Sequence, residues 1–258
     1  MIRQRLINLW SVILSLIAGL LIWVVAVETT GLPAFILPSP QQVWSRLIEV
    51  AIDGSLWRHI WVTAYEIVLG LALGAGLAVL LGYVVAKSRM MERFLSPYLV
   101  ASQAIPIVAL APLLVLWFGP GMISKVLICS LVVFFPVLVN TVVGVRAVPE
   151  ELRDLMRTLH ASRTQNILFL ELPAALPILL GGFRIGATLA VIGAVVGEFV
   201  GSDKGLGFLV NIARGQYDTA LVFVAIGTLI AMALSLYGLV ILIEKRLLGW
   251  QTSSGERQ

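Results

Sequence analysis

Six apolar stretches, each about twenty residues or longer, follow one another along this chain with only short connectors between them. Inside a ~30 Å hydrocarbon layer water cannot serve the backbone, so each stretch must pair its own amides and carbonyls as a helix. The expected fold is therefore all-α, a polytopic transmembrane helix bundle of six spans. They fall near 6–27, 60–86, 94–118, 122–145, 174–200 and 220–243. Composition supports this. Only 12% of the residues are charged and 59% are hydrophobic, where soluble domains carry about a quarter charged. Arg3 and Arg5 precede the first run as they would in a signal peptide, but the run is too long for a signal core. It reads as an uncleaved first helix.

Three segments depart from plain spans. Residues 41–52, after Pro38 and Pro40, place Val43, Trp44, Leu47, Ile48 and Ala51 on one face, as a surface helix with belt tryptophans would. The third run is interrupted by Pro97, Pro106 and Pro112, so it should face protein or a water-filled path. The polar segment 201–219 reads as a connector. Gly70 and Gly74, and the glycines at 182, 186, 193 and 197, repeat at four-residue spacing that permits close helix contact.

An even number of spans puts both termini on one side. Arg3, Arg5, Lys87, Arg89, Arg93, Arg146, Arg153, Arg157, Arg163, Lys245, Arg246 and Arg257 fall on that side; Arg46, Arg58, Lys204 and Arg214 fall opposite. The richer side is expected to be cytoplasmic. The net charge of +4 then needs no nucleic-acid partner; the bilayer accounts for it.

The longest charged interval, 149–177, lies on the cytoplasmic side. Leu152, Leu155, Met156 and Leu159 stand at i, i+3, i+4 and i+7 and form one apolar stripe, with Arg153 and Arg157 on the other face as rim charges. Pro149, Glu150 and Glu151 suit a helix start. Ser162 and Gln165 are spaced as a capping box for a second short helix, which Pro173 and Pro177 should stop. Such a helix-turn-helix could receive an external partner or lie on lipid headgroups.

The same interval resembles the cytoplasmic loop of binding-protein-dependent ABC importer permeases: Glu-Ala-Ala, three residues, Gly, nine residues, Ile-x-Leu-Pro. Asp154-Leu155-Met156, His160 and Leu170-Glu171-Leu172-Pro173 stand at those places without a gap. Asp154 replaces the Glu, and His160 replaces a Gly that would most simply serve a left-handed helix end. Residues 37–44 (LPSPQQVW), 103–152 and 195–227 are similar to the nitrate, sulfonate and taurine branch, which includes carriers of riboflavin and of the thiamine pyrimidine.

The resemblance implies a type I importer permease that works as a homodimer with two ATP-binding cassette subunits and an extracytoplasmic solute-binding protein. It implies a bacterial inner-membrane location, no enzyme activity and no cofactor. Its coupling loop, 146–173, would use Glu151, Leu152, Arg153, Asp154, Leu155, Met156, Arg157, Leu159, His160, Ala161, Leu172 and Pro173. Around it, 1–59 would be an N-terminal helix with an external amphipathic segment, 60–247 the permease core and 248–258 a loose tail.

No Gly-x-x-x-x-Gly-Lys-Ser/Thr occurs, so any ATPase must be a separate subunit. The lone Cys129 and the two histidines, His59 and His160, leave little for metal or thiol chemistry. Candidates for a translocation path or gate are Glu66, Pro106, Arg184 and Glu198; Lys125 and Glu198, near span ends, suit a structural ion pair better. Arg184 is the one basic group suited to an anion path, which tilts the solute towards a near-neutral organic molecule such as riboflavin. The rival reading is an ion-coupled secondary transporter using Glu66 or Glu198 without an ATPase.

Overall fold

The computed structural model describes residues 2–249, the side chains of residues 2–9, 12 and 102 excepted. The predicted tail from 250 on, with Arg257, and the side chains of Arg3 and Arg5 lie outside the described residues. The elements are α1 (Ile2–Thr30), α2 (Pro40–Ile52), α3 (Ser55–Lys87), α4 (Arg89–Gln103), α5 (Ile107–Phe118), α6 (Met122–Arg146), α7 (Glu150–Thr158) and α8 (Arg163–Asn166). A π-helical turn (Ile167–Glu171), α9 (Leu172–Gly201), α10 (Leu206–Gly215) and α11 (Thr219–Leu247) complete the chain.

Five helices among the described residues are long and apolar enough to cross a membrane. The remaining apolar run, the third, is two helices end to end. Pro106 has no amide hydrogen and stands as the extended N-cap of α5, so α4 cannot continue into it.

The core is the packing of α3, α6 and α9. Small residues make it possible. A Cβ on Gly74 would lie 2.4 Å from the Ser130 carbonyl oxygen, and one on Gly193 would lie 2.7 Å from the Cys129 Cα. The four-residue glycine spacing thus marks faces where backbones touch. The outward faces carry exposed Leu14, Ile22, Leu80, Leu116 and Leu234, a surface suited to lipid. Helix α1 is joined to the rest through Trp23, whose Nε1 donates to Pro38 O at 3.1 Å and whose ring stacks on Phe223.

Two expectations need correction. Pro173 and Pro177 do not stop the short helix: α8, the π turn and α9 run as one continuous helix from Arg163 to Gly201. In the π turn Leu172 N donates to Ile167 O, five residues back. That wider register passes each carbonyl to an amide one place further on, which circumvents the donor Pro173 lacks. The segment 201–219 is not only a connector. It contains α10, whose Leu206, Leu209 and Ala213 are buried; with Val210 they stand at i, i+3, i+4 and i+7, a signal the polar flanks obscured.

Candidate functional site

The charged loop forms the helix-turn-helix its sequence suggests. Val148 is buried, Pro149 leads into α7, and Glu150 and Glu151 occupy its first turn. Leu152, Leu155 and Leu159 are 43, 53 and 65% exposed, a ridge turned away from the bundle; Met156 beside them is half-buried. Asp154 and Arg157 pair on the surface at 2.8 Å. Arg153 does not sit on the rim. It is half-buried, and its Nη2 donates to Val145 O at 3.0 Å, tying α7 to the end of α6.

The end of α7 shows what His160 does. Its φ is +51°. His160 N donates to Arg157 O at 2.9 Å and Ala161 N to Met156 O at 3.0 Å, the two bonds of a Schellman end. Histidine therefore holds the left-handed position a glycine would take. Ser162 and Gln165 exchange the two bonds of a capping box at the start of α8. Leu172 and Pro173 lie apart from α7, at the start of α9, with Leu172 exposed.

The loop's anchors escaped sequence reasoning. Glu171 is buried, accepting from Tyr83 Oη at 2.9 Å, from Lys87 Nζ and from Asn166 Nδ2 at 3.3 Å. Arg146 grips Glu92 through both oxygens, at 2.6 and 2.8 Å, and donates to Val85 O at 3.3 Å. The Arg146 hydrogen bonds hold the Glu92 carboxyl below the usual carboxylate range. Both clamps end on the last turns of α3 or the first of α4.

At the other end of the bundle, Glu66 and Glu198 come together with Lys125, all three buried. Lys125 Nζ lies 3.0 Å from Glu66 Oε1 and donates to Ser202 Oγ at 2.6 Å. Thr63 Oγ1 donates to Glu198 Oε1 at 2.6 Å and accepts from Leu206 N at 2.8 Å; Gly207 N donates to Glu198 Oε2. His59 Nδ1 accepts from Gly205 N at 3.0 Å. The cluster joins α3, α6, α9 and the start of α10.

Pro106 and Arg184 lie elsewhere. Pro106 lines a largely apolar cavity of about 450 Å³ at the α4–α5 break, with Gln103, Leu110, Phe135 and Pro136. Arg184 lines a separate cavity of about 330 Å³ with Thr188 and Tyr237, and is paired with Glu244 at 2.7 Å. Neither cavity is lined by Glu66 or Glu198. On α2, Arg46 bridges Asp218 at 2.9 Å while Asp218 caps α11.

Comparison with known proteins agrees with this architecture. Residues 70–249 match the family model described as binding-protein-dependent transport system inner membrane component. The chain is 47% identical over 239 residues to the riboflavin transport system permease protein RibX of Chloroflexus aurantiacus, covering 93% of this chain and 89% of that one. It is 37% identical over 232 residues to the formylaminopyrimidine transport permease protein ThiX of Halalkalibacterium halodurans, covering 90% and 92%. The fold matches a chain of the inward-facing MetNI methionine ABC transporter with a TM-score of 0.67 at 17% identity, over 76% of this chain and 98% of that one.

Proposed function

This chain belongs to the family of binding-protein-dependent transport system inner membrane components, and from that premise we propose that it imports a vitamin or vitamin precursor, riboflavin first among them. The 47% identity to a riboflavin permease carries the reading. Two features of the site support it. Arg184, the basic group suited to attract an anion, is charge-paired with Glu244, so an anionic sulfonate or nitrate would meet no uncompensated positive charge there. The cavity at Pro106 is apolar with an amide, Gln103, and an aromatic ring, Phe135, on its wall, as a flat and near-neutral solute would require.

The rest of the machine follows from the loop. Two ATP-binding cassette subunits dock on the Leu152, Leu155 and Leu159 ridge of a permease homodimer, on the cytoplasmic side of the inner membrane, where both termini also lie. A solute-binding protein delivers cargo to the opposite face. Residues 60–247 are the permease core. Closure of the ATPases moves α7, and the Arg153, Arg146 and Glu171 clamps pass that motion to α3 and α6. Rigid rocking of the bundle then exchanges access. Glu66, Lys125 and Glu198 hold the helices together at the far end while this happens.

The test is uptake by proteoliposomes carrying the permease, its ATPase and its binding protein. Labelled riboflavin should accumulate only with ATP on the cytoplasmic face. Accumulation without ATP that follows a proton gradient would overturn the ATP-driven reading; ATP-dependent uptake of taurine but not riboflavin would overturn the solute.

A further inference from the structure

At the cytoplasmic end of the bundle, three hollows adjoin. The first is an apolar groove of about 260 Å³ between α3, α6 and the start of α9, lined by Val79, Leu80, Tyr83, Leu172 and Leu179 among others and reaching Glu171. Glu171 also lines the second, a polar pocket of about 150 Å³ with Lys87, Arg153, Arg157 and Asn166. Lys87 and Arg153 in turn line the third, of about 390 Å³, with Arg89 and Arg146. Along α3 the wall changes from Val79 and Leu80 to Lys87 over about 12 Å of helix. Leu80, Ile167 and Leu172 on the groove's rim are exposed, on a surface that meets lipid.

The small pocket has two buried polar atoms without partners: Arg153 Nε, a donor, and Asn166 Oδ1, an acceptor. The orientation of the amide is fixed, because Asn166 Nδ2 donates to Glu171, and a carboxylate can only accept. Lys87, Arg146 and Arg157 each have an acidic partner. Arg153 is bonded to a carbonyl and to no acid. The pocket thus offers one uncompensated guanidinium for an anion and one carbonyl for a hydroxyl, beside a slot for a hydrocarbon chain.

We infer that these hollows hold one anionic phospholipid with a hydroxylated headgroup, of the phosphatidylglycerol kind. Its phosphate lies at Arg153, its headgroup hydroxyl at Asn166, and an acyl chain in the groove against Leu80 and Leu172. The lipid would brace the π turn and the root of α7, making membrane composition an input to the coupling loop. Charge complementarity favours lipid over an acidic peptide, since the groove continues the pocket into apolar surface where no peptide charge could follow.

Native mass spectrometry of the full-length chain, equilibrated with equal phosphatidylglycerol and phosphatidylcholine, reads the site without requiring transport. Wild type should retain phosphatidylglycerol over phosphatidylcholine about fivefold, the worth of one hydrogen bond from the glycerol hydroxyl to Asn166 Oδ1, which choline cannot make. Arg153→Gln, which loses the contact to the phosphate both lipids carry, should lower retention of both, and Asn166→Leu should erase the preference between them. Leu80→Trp, which fills the groove from the lipid-facing side, should lower retention of both lipids while the protein stays monodisperse. Equal retention of the two lipids by wild type, unchanged retention in Arg153→Gln, or an unchanged preference in Asn166→Leu would overturn the proposal. So would glycerol phosphate binding as tightly as the lipid, or displacement of the lipid by added ATPase subunits, which would make the pocket part of a protein interface.

Discussion

A single left-handed residue shapes the end of α7. His160 holds φ at +51°, which costs a non-glycine residue about 1 kcal/mol that a glycine would not lose. His160→Gly should therefore raise the thermal midpoint of the detergent-solubilised protein, and His160→Val should lower it; the reverse order would refute the Schellman assignment. Glu92 supplies a pH test. Its folded-state pKa lies below the ordinary value because Arg146 bonds the carboxylate. Its contribution to stability is therefore complete above the unfolded value, about 4.3, and lost as pH falls through the lower folded one. Unfolding curves of wild type and Glu92→Gln should differ at neutral pH and converge in acid.

Among elements, α7 was the most legible and its anchors the least. A stripe at i, i+3, i+4, i+7 and a Ser-x-x-Gln box are local patterns, and the chain needs nothing distant to realise them. Glu171 and Lys87 are 84 residues apart, Glu92 and Arg146 are 54, and Thr63 and Glu198 are 135. Periodicity says which face of a helix is buried but not which helix it meets, so these pairs were invisible beforehand. The continuous helix through Pro173 was hidden for another reason, since a π turn leaves no signature in composition. The exposed ridge of α7 yields a prediction at this scale. Leu155→Asp should abolish substrate-stimulated ATPase activity of the assembled transporter while membrane insertion, followed by fractionation, is unchanged. Normal stimulation would remove the ridge from the interface.

As a whole, the molecule is a tight three-helix core with looser flanks. The described residues of α1 are largely exposed and reach the rest through Trp23, and the family match begins beyond it, at residue 70. A chain lacking residues 1–30 should therefore keep the helices of its remaining residues and melt within about 4 °C of the intact protein; loss of the folded core would show that α1 is integral to it. The six-run pattern revealed this bundle from the sequence and the prolines marked the third run as interrupted, but only Pro106 is a joint; Pro97 and Pro112 lie inside α4 and α5. The far end carries its own consequence. Glu198 takes hold of the main chain of α10, and a Cβ on Gly205 would fall 1.9 Å from its carboxylate oxygen, one on Gly207 2.8 Å. A side chain at either glycine would expel the acid, but a shorter acid at 198 would not release them, because Gly205 holds φ at +111° and a Cβ on Gly207 would still meet Val195 O at 3.0 Å. Change at residue 198 therefore leaves both glycines as constrained as before, whereas change at either glycine disturbs the acid.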